Sequence, residues 1–279
     1  MQELKGKTAV VTGAGSGIGE GTAHALAEAG MNVAVLDING GAAERVAAEL
    51  GRHGTRAIAR QCDVTDRSSV DATADAVYQE FGAVEVLHNN AGICFFAPVE
   101  RTTDEQWRLT LDVNLNGVVN GLQAFLPRMR SQGGPAHIVN TASLAGLLAS
   151  PALGAYQASK FAVVGVSETL RHELAPHGIG VSVLCPGGVA TNIMQNSLAL
   201  TPTAPPGRAS NASIETMATD DFRVIDPMDV GRMVRAGIEA NEPYIFTHPE
   251  FKGAVQHRFD RVMQAFDRAA ARDAAAAGS

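Results

Sequence analysis

Residues 8–37 read TAVVTGAGSGIGEGTAHALAEAGMNVAVLD, and the order of features in this stretch decides the fold. An apolar run at 8–13 suits a buried strand. A glycine-rich turn follows, then a helical pattern at 18–29 and a second apolar run at 32–36. The alternation continues down the chain. Strands are predicted at 56–60, 84–88, 136–140, 180–184 and 244–246, and helices at 41–52, 66–81, 103–130, 154–177 and 227–240. Strands that are apolar throughout belong in a parallel sheet covered on both faces. The expected architecture is therefore α/β, a single doubly wound parallel β-sheet with helices on both faces, in one domain over residues 1–279.

Between the first strand and helix lie Gly13, Ala14, Gly15, Ser16, Gly17, Ile18 and Gly19. Glycines there let the backbone turn sharply and approach a pyrophosphate, and the helix presents free N–H groups to that anion. Asp37 ends the second strand, 18 residues after Gly19. A carboxylate at that point accepts both hydroxyls of an adenosine ribose and repels a 2′-phosphate. Neither Ala14, Gly15 and Ser16 nor Ile38 supplies a Lys or Arg for such a phosphate. The reading is NAD rather than NADP.

Composition bounds the rest. The chain has 279 residues, 22 basic against 29 acidic, for a formal net charge of −7. That sign gives no general attraction for nucleic acid or an anionic membrane, and neither is expected as a partner. Cys62, Cys94 and Cys185 are scattered, which is neither a disulfide framework nor a metal site. A reducing, cytoplasmic setting is expected, with no signal core in residues 1–8 and no metal. The 191–222 segment is rich in Thr, Ser, Pro, Asn and Ala and lacks a sustained helical period. It is expected to be irregular, and 191–226 to form a loop or lid over substrate. The end, 268–279, reads as a fraying helix.

At this point the residues resemble the short-chain dehydrogenase/reductase family, whose fold is the Rossmann type. The glycine turn matches its T-G-x-x-x-G-I-G pattern. Asp63-Val64 resembles the pair that meets adenine, and Asn89-Asn90-Ala91-Gly92 matches N-N-A-G. Asn114 matches the family's helix asparagine, and Ser143 follows the fifth strand. Tyr156 and Lys160 match Y-x-x-x-K. Pro186-Gly187-Gly188-Val189-Ala190-Thr191 resembles P-G-x-V-x-T. The motifs stand in the family's order across about residues 5–195.

Alcohol oxidation needs a base for the hydroxyl proton while hydride leaves carbon. An ordinary Tyr, with a pKa near 10, is a poor base at neutral pH. Tyr156 and Lys160 are four apart on a predicted helix and share a face. A neighbouring ammonium is expected to lower the phenol's pKa. The resemblance implies the remaining roles. Lys160 also binds the nicotinamide ribose, Ser143 hydrogen-bonds the substrate oxygen, and Asn114 holds a water linked to Lys160. Thr191 and the backbone of Val189 meet the nicotinamide amide. The other expected cofactor contacts are Gly13, Ser16, Gly17, Ile18, Gly19, Asp37, Asp63, Val64, Asn90, Ala91, Gly92, Pro186 and Gly187.

Other chemistries fit poorly. None of Ser16, Ser143 and Ser167 stands between two glycines at the G-x-S-x-G spacing that a nucleophile elbow needs. His172 and His177 are five apart with Pro176 between them, which is not the H-E-x-x-H zinc pattern.

The candidate substrate walls are Cys94, Phe96, Leu144, Gly188 and Met194, with Phe95, Leu147 and the 192–222 segment beside them. Most are apolar, pointing to a bulky, uncharged secondary alcohol or ketone. The stretch from Tyr244 to Phe251 is similar to the ends of bacterial Cα-dehydrogenases that oxidise benzylic alcohols of lignin-derived aryl ethers. Two alternatives stay open: a carbonyl or 3-oxoacyl reductase working in the reductive direction, and a catalytically silent nucleotide-binding scaffold. The family resemblance also implies a homotetramer or homodimer.

Overall fold

The fold is known from a computed structural model that describes residues 1, 3–200 and 223–277. The chain divides into two units, residues 1–247 and residues 248–279.

In the first unit, β1 (Thr8–Thr12) is buried along its whole length and lies parallel to β2 (Asn32–Asp37). Next come β3 (Ala57–Gln61), β4 (Val86–Asn89), β5 (Ala136–Thr141), β6 (Ile179–Cys185) and the short β9 (Tyr244–Phe246). The seven strands run β3-β2-β1-β4-β5-β6-β9, all parallel. The order reverses direction between β1 and β4, and the crevice outside the carboxyl ends of those two strands is where such sheets receive ligands. A second, two-stranded parallel pair, β7 (Gly188–Val189) with β8 (Val224–Ile225), lies outside the main sheet. Runs of two residues carry no periodicity and leave no strand signal to read.

The helices start where the sequence caps them. Asn39 accepts from Ala42 N to open α2 (Gly40–Leu50), and Asp66 accepts from Ser68 N to open α3 (Arg67–Phe81). Thr103 and Gln106 form a reciprocal capping box on α4 (Asp104–Leu111). Asp226 and Pro227 begin α8 (Pro227–Ala240). At α1 (Gly17–Glu28) the N-cap Ser16 makes no side-chain cap bond.

Two expectations about elements need correction. The single helix expected over 103–130 is α4, then a π-helical turn over Asp112–Asn116, then α5 (Gly117–Gln132). Helical periodicity looks the same through such a turn, so only the backbone reveals it. Residues 191–200 are not wholly irregular either: α7 (Ile193–Ala199) forms there, held where Ser197 Oγ accepts from Cys94 N at 2.9 Å. The remainder of the expected lid, 201–222, lies outside the described residues. The long helix α6 (Gly154–Leu174) matches its reading and carries Tyr156 and Lys160.

The core fills both sides of the sheet with small and branched side chains. On one side α1 crosses α8 at glycine contacts. A methyl group on Gly21 would lie 2.2 Å from Pro227 O, and one on Gly231 would lie 2.1 Å from Gly21 O.

The second unit consists of a 3-10 turn at Pro249–Phe251 and the helix α9 (Lys252–Ala277), on which Phe259, Val262, Met263 and Phe266 are exposed.

Candidate active site

One cavity of about 460 Å³ opens at the carboxyl ends of β1 and β4. Its walls include Gly13, Ser16, Gly17, Ile18, Asp37, Asp63, Val64, Asn90, Ala91, Gly92, Tyr156, Lys160, Pro186 and Thr191. These come from six separate stretches of sequence, and each was named as a cofactor contact from the sequence. Gly19, Gly187 and Val189 were named too but do not line it. Gly19 packs instead: a methyl there would lie 2.2 Å from Gly13 O and 2.7 Å from Asn90 Nδ2. Gly187 N donates to Thr247 Oγ1, and Val189 is buried in the core.

The cavity fits a dinucleotide at both ends. At the turn, α1 presents an uncapped N-terminus to the wall formed by Ser16, Gly17 and Ile18, as an anion site requires. The close approach is built in. Gly17 has φ 58°, and a methyl on it would lie 3.0 Å from Thr191 Cγ2; one on Gly13, at φ 62°, would lie 2.8 Å from Ala91 Cα. At the tip of β2, Asp37 Oδ2 accepts from Gly15 N and Oδ1 from Asn39 N, both at 2.9 Å. The carboxylate is thus fixed in orientation, with lone pairs left for a diol. Arg45 reaches the outer face of the same turn, donating to Gly15 O at 2.9 Å while paired with Glu20 and Glu49.

At the other end of the cavity, α6 places Tyr156 and Lys160 one turn apart. Lys160 Nζ is 5.6 Å from the Tyr156 ring centre and donates to Thr141 O at 2.8 Å. Ser143, just past β5, stands close enough to Tyr156 for its hydroxyl to favour the phenolate; its Oγ donates to Pro186 O at 3.4 Å and accepts from Ala145 N at 3.1 Å. The phenol, the amine and the hydroxyl therefore converge.

Their electrostatics differ from the sequence expectation. Burial is the largest influence on both ionisable groups. It pushes the Tyr156 phenol above its ordinary value, opposed by the Ser143 hydrogen bond. It lowers the Lys160 ammonium to about 8. In the protein alone, then, Tyr156 is not a depressed phenol. Desolvation outweighs a neighbour whose own charge is destabilised by the same burial. Cys94 is raised to about 12 by burial and is an unreactive thiol.

Asn114 sits in the π-helical turn and is completely buried. Its Oδ1 accepts from Ile93 N at 2.8 Å, and its Nδ2 donates to Ile93 O at 2.9 Å and Ser159 Oγ at 3.0 Å. It thus clamps the loop after β4 to α6. Gly92 lies between Asn114 and Lys160: a methyl there would be 3.4 Å from Asn114 Oδ1 and 3.5 Å from Lys160 Nζ.

None of Cys94, Phe96, Leu144, Gly188 and Met194, the expected substrate walls, lines the cavity. Cys94, Leu144, Gly188 and Met194 are buried and Phe96 is half-buried. Ile193, Asn196, Ala199 and Leu200 of α7 and its end do line it. They belong to the 192–222 segment named as a wall from the sequence, but the individual residues and their helix were not singled out because the segment lacks a helical period. Sequence reasoning missed Thr141, whose backbone oxygen receives Lys160, because main-chain acceptors leave no mark in a sequence.

Comparison with known proteins adds the following. Residues 7–200 match the model of a family described as short chain dehydrogenase. The C alpha-dehydrogenase of Sphingobium sp. is 34% identical over 266 residues, 94% of this chain and 87% of that protein. The D-threitol dehydrogenase of Mycolicibacterium smegmatis is 45% identical over 192 residues, 68% of this chain and 73% of its own. Among solved structures, a short chain dehydrogenase/reductase from Burkholderia phymatum in complex with NAD superimposes with a TM-score of 0.87 at 36% identity, covering 95% of this chain and 97% of that one.

Proposed function

This chain belongs to the short-chain dehydrogenase family, an oxidoreductase family acting on CH–OH groups, and from that premise we propose an NAD-dependent enzyme that interconverts a bulky apolar or benzylic secondary alcohol and its ketone. The observation that carries the proposal is a single cavity with the oriented Asp37 carboxylate at one end and the Tyr156–Lys160 pair at the other.

Oxidised nicotinamide, when bound, supplies the hydride acceptor and a positive charge beside the phenol. The protein's own part is proton handling and orientation. Tyr156 takes the proton of the substrate hydroxyl. Ser143, whose hydroxyl lies beside Tyr156, turns its proton from Pro186 O to the substrate oxygen and holds it against that phenol. Lys160, anchored on Thr141 O, favours the phenolate and receives the cofactor ribose. Asn114 keeps one Oδ1 lone pair beyond its bond from Ile93, facing the side of Gly92 that Lys160 Nζ also faces. A water there would carry the proton outward. Tyr156→Phe should lower turnover by about 10²–10⁴-fold, the range for loss of a general base, while NADH still binds. A variant that turns over normally would remove Tyr156 as the base, and a wild-type protein that binds NADH but turns over no alcohol or ketone would leave the scaffold reading standing.

The NAD preference rests on Asp37 and the absence, among the described residues, of a free cation at its tip: Arg45 is held by Glu20 and Glu49. The substrate proposal rests on the apolar residues that line the cavity from α7 and its end, Ile193, Ala199 and Leu200, and on the likeness to the C alpha-dehydrogenase. Initial rates with NAD and NADP on aryl-ether benzylic alcohols, 1-arylethanols, steroids and threitol test both. Preference for threitol would replace the substrate reading by a polyol one. A preference for NADPH and ketones would favour the reductase reading.

The proposal includes a cytoplasmic homodimer or homotetramer. On α6, Val163 and Leu170 are buried within the chain, whereas Ala162 and Val166 remain half-exposed for a neighbour. A monomer in sedimentation at micromolar concentration would refute the assembly. Among the described residues no helix is long and apolar enough to cross a membrane.

A further inference from the structure

β4 brings a histidine beneath the site. His88 is fully buried between β1 and β5. Its Nε2 lies 2.8 Å from Thr141 Oγ1, and Thr141 Oγ1 lies 3.2 Å from Asn90 Oδ1. Asn90 Nδ2 in turn donates to Thr12 O at 3.0 Å and Gly13 O at 3.3 Å.

The proton directions follow from the far end of this chain. Carbonyl oxygens only accept, so Asn90 turns Nδ2 toward the glycine turn and Oδ1 toward Thr141. An amide oxygen also only accepts, so the Thr141 hydroxyl directs its one proton to Asn90. The hydroxyl oxygen then takes a proton from His88, which must be the Nε2–H tautomer with a bare Nδ1. That Nδ1 has no hydrogen-bond partner among the described residues. Burial lowers the ring to about 3, so it stays neutral and the chain keeps its direction around neutral pH. A bare buried nitrogen is a standing cost that an aliphatic side chain would not carry. What His88 provides in return is one N–H aimed at Thr141.

We propose that His88 is a positioning residue for the dinucleotide site: its Nε2–H fixes Thr141, which fixes Asn90 and through it the glycine turn. Thr141 also holds Lys160 on its backbone oxygen, so one residue ties the turn to the catalytic pair. The inference rests on the reading of the glycine turn as an NAD site.

Three variants test it: His88→Leu keeps bulk and removes the donor, His88→Gln keeps a terminal N–H, and Thr141→Val removes the hydroxyl but keeps the backbone oxygen. Binding of NADH is read by fluorescence titration. ¹⁵N-histidine spectra, assigned by the signal lost in His88→Leu, report the tautomer. His88→Leu and Thr141→Val should each weaken NADH about tenfold, the equivalent of one buried hydrogen bond, and the double variant should be no worse than either. His88→Gln should stay within about threefold of wild type, and KM for NAD should rise more than kcat falls. His88 should appear as an Nε2–H ring that does not titrate between pH 5 and pH 9, since its pKa of about 3 lies well below that window. Wild-type affinity in the folded His88→Leu or Thr141→Val protein, equal loss in His88→Gln and His88→Leu, or an Nδ1–H ring would overturn the inference. If His88→Leu does not fold, Thr141→Val decides it, with the wild-type spectrum assigned by the signal lost in His88→Gln. Failure of wild-type protein to bind NADH, with the ring still Nε2–H, would instead remove the cofactor reading and this inference together.

Discussion

Burial draws the proton affinities of Tyr156 and Lys160 in opposite directions, the phenol up and the ammonium down to about 8. For Lys160 this has a consequence for stability. Below pH 8 both the folded and the unfolded chain hold the proton, and the folded state bears the full penalty of a buried cation. Between about 8 and 10.5 only the unfolded chain still holds it, so stability rises with pH across that window. Lys160→Met removes the penalty along with the bond to Thr141 O. In denaturant titrations, its stability relative to wild type should fall by about 3 kcal/mol between pH 7 and pH 10.5. A difference independent of pH would mean the amine is hydrated. A second residue stores strain near the same helix. Ala152 has φ 62°, a left-handed backbone that disfavours a Cβ, and its carbonyl accepts from Ala97 N at 2.9 Å. Relief of about 1–2 kcal/mol from Ala152→Gly is offset by glycine's greater unfolded freedom. A net gain of about 0.5–1 kcal/mol is expected, read as a higher denaturation midpoint.

At the scale of elements, the π-helical turn between α4 and α5 places Asn114 opposite the loop after β4, where it satisfies both polar groups of Ile93. Such turns recur at functional sites because the widened backbone re-aims one side chain. The crossing of α1 and α8 depends on closeness. The atoms that meet Gly21 and Gly231 are backbone, which cannot swing aside as a side chain can. Gly231→Ala must therefore part the two helices and should destabilise the protein by about 2–3 kcal/mol, measured as a lower denaturation midpoint at unchanged slope. A neutral result would show that the helices separate freely. Since α1 carries the uncapped N-terminus at the cavity, the same substitution should also weaken NADH.

For the whole molecule, the cofactor joins β1, β2, β4 and β5 through one cavity, so binding and stability are linked. NADH at about 100 times its dissociation constant should stabilise the fold by about 2.7 kcal/mol, or roughly 5–10 °C in Tm for a chain of this size. NADPH at the same concentration should give a much smaller shift, and Asp37→Ser should narrow the difference. Equal shifts with both dinucleotides in the wild type would contradict the role of Asp37.

Local chemistry was legible because it is local. The strand–glycine turn–helix order, the acidic end of β2, the caps at Asn39, Asp66 and Asp226, and a Tyr and a Lys one helical turn apart all follow from spacing along the chain. The seven strands of the main sheet and the helices α1, α2, α3 and α8 were therefore found within about two residues of their ends, and the parallel sheet followed from apolar runs with no alternation. What depends on partners distant in sequence was not legible. The π turn is set by the loop at Ile93, α7 by Cys94, and the β7–β8 pair by residues 35 apart. The sense of the Tyr156 shift was misjudged for the same reason. Spacing shows that an amine is near a phenol, but only the packed interior determines how much water both have lost, and desolvation is the larger effect.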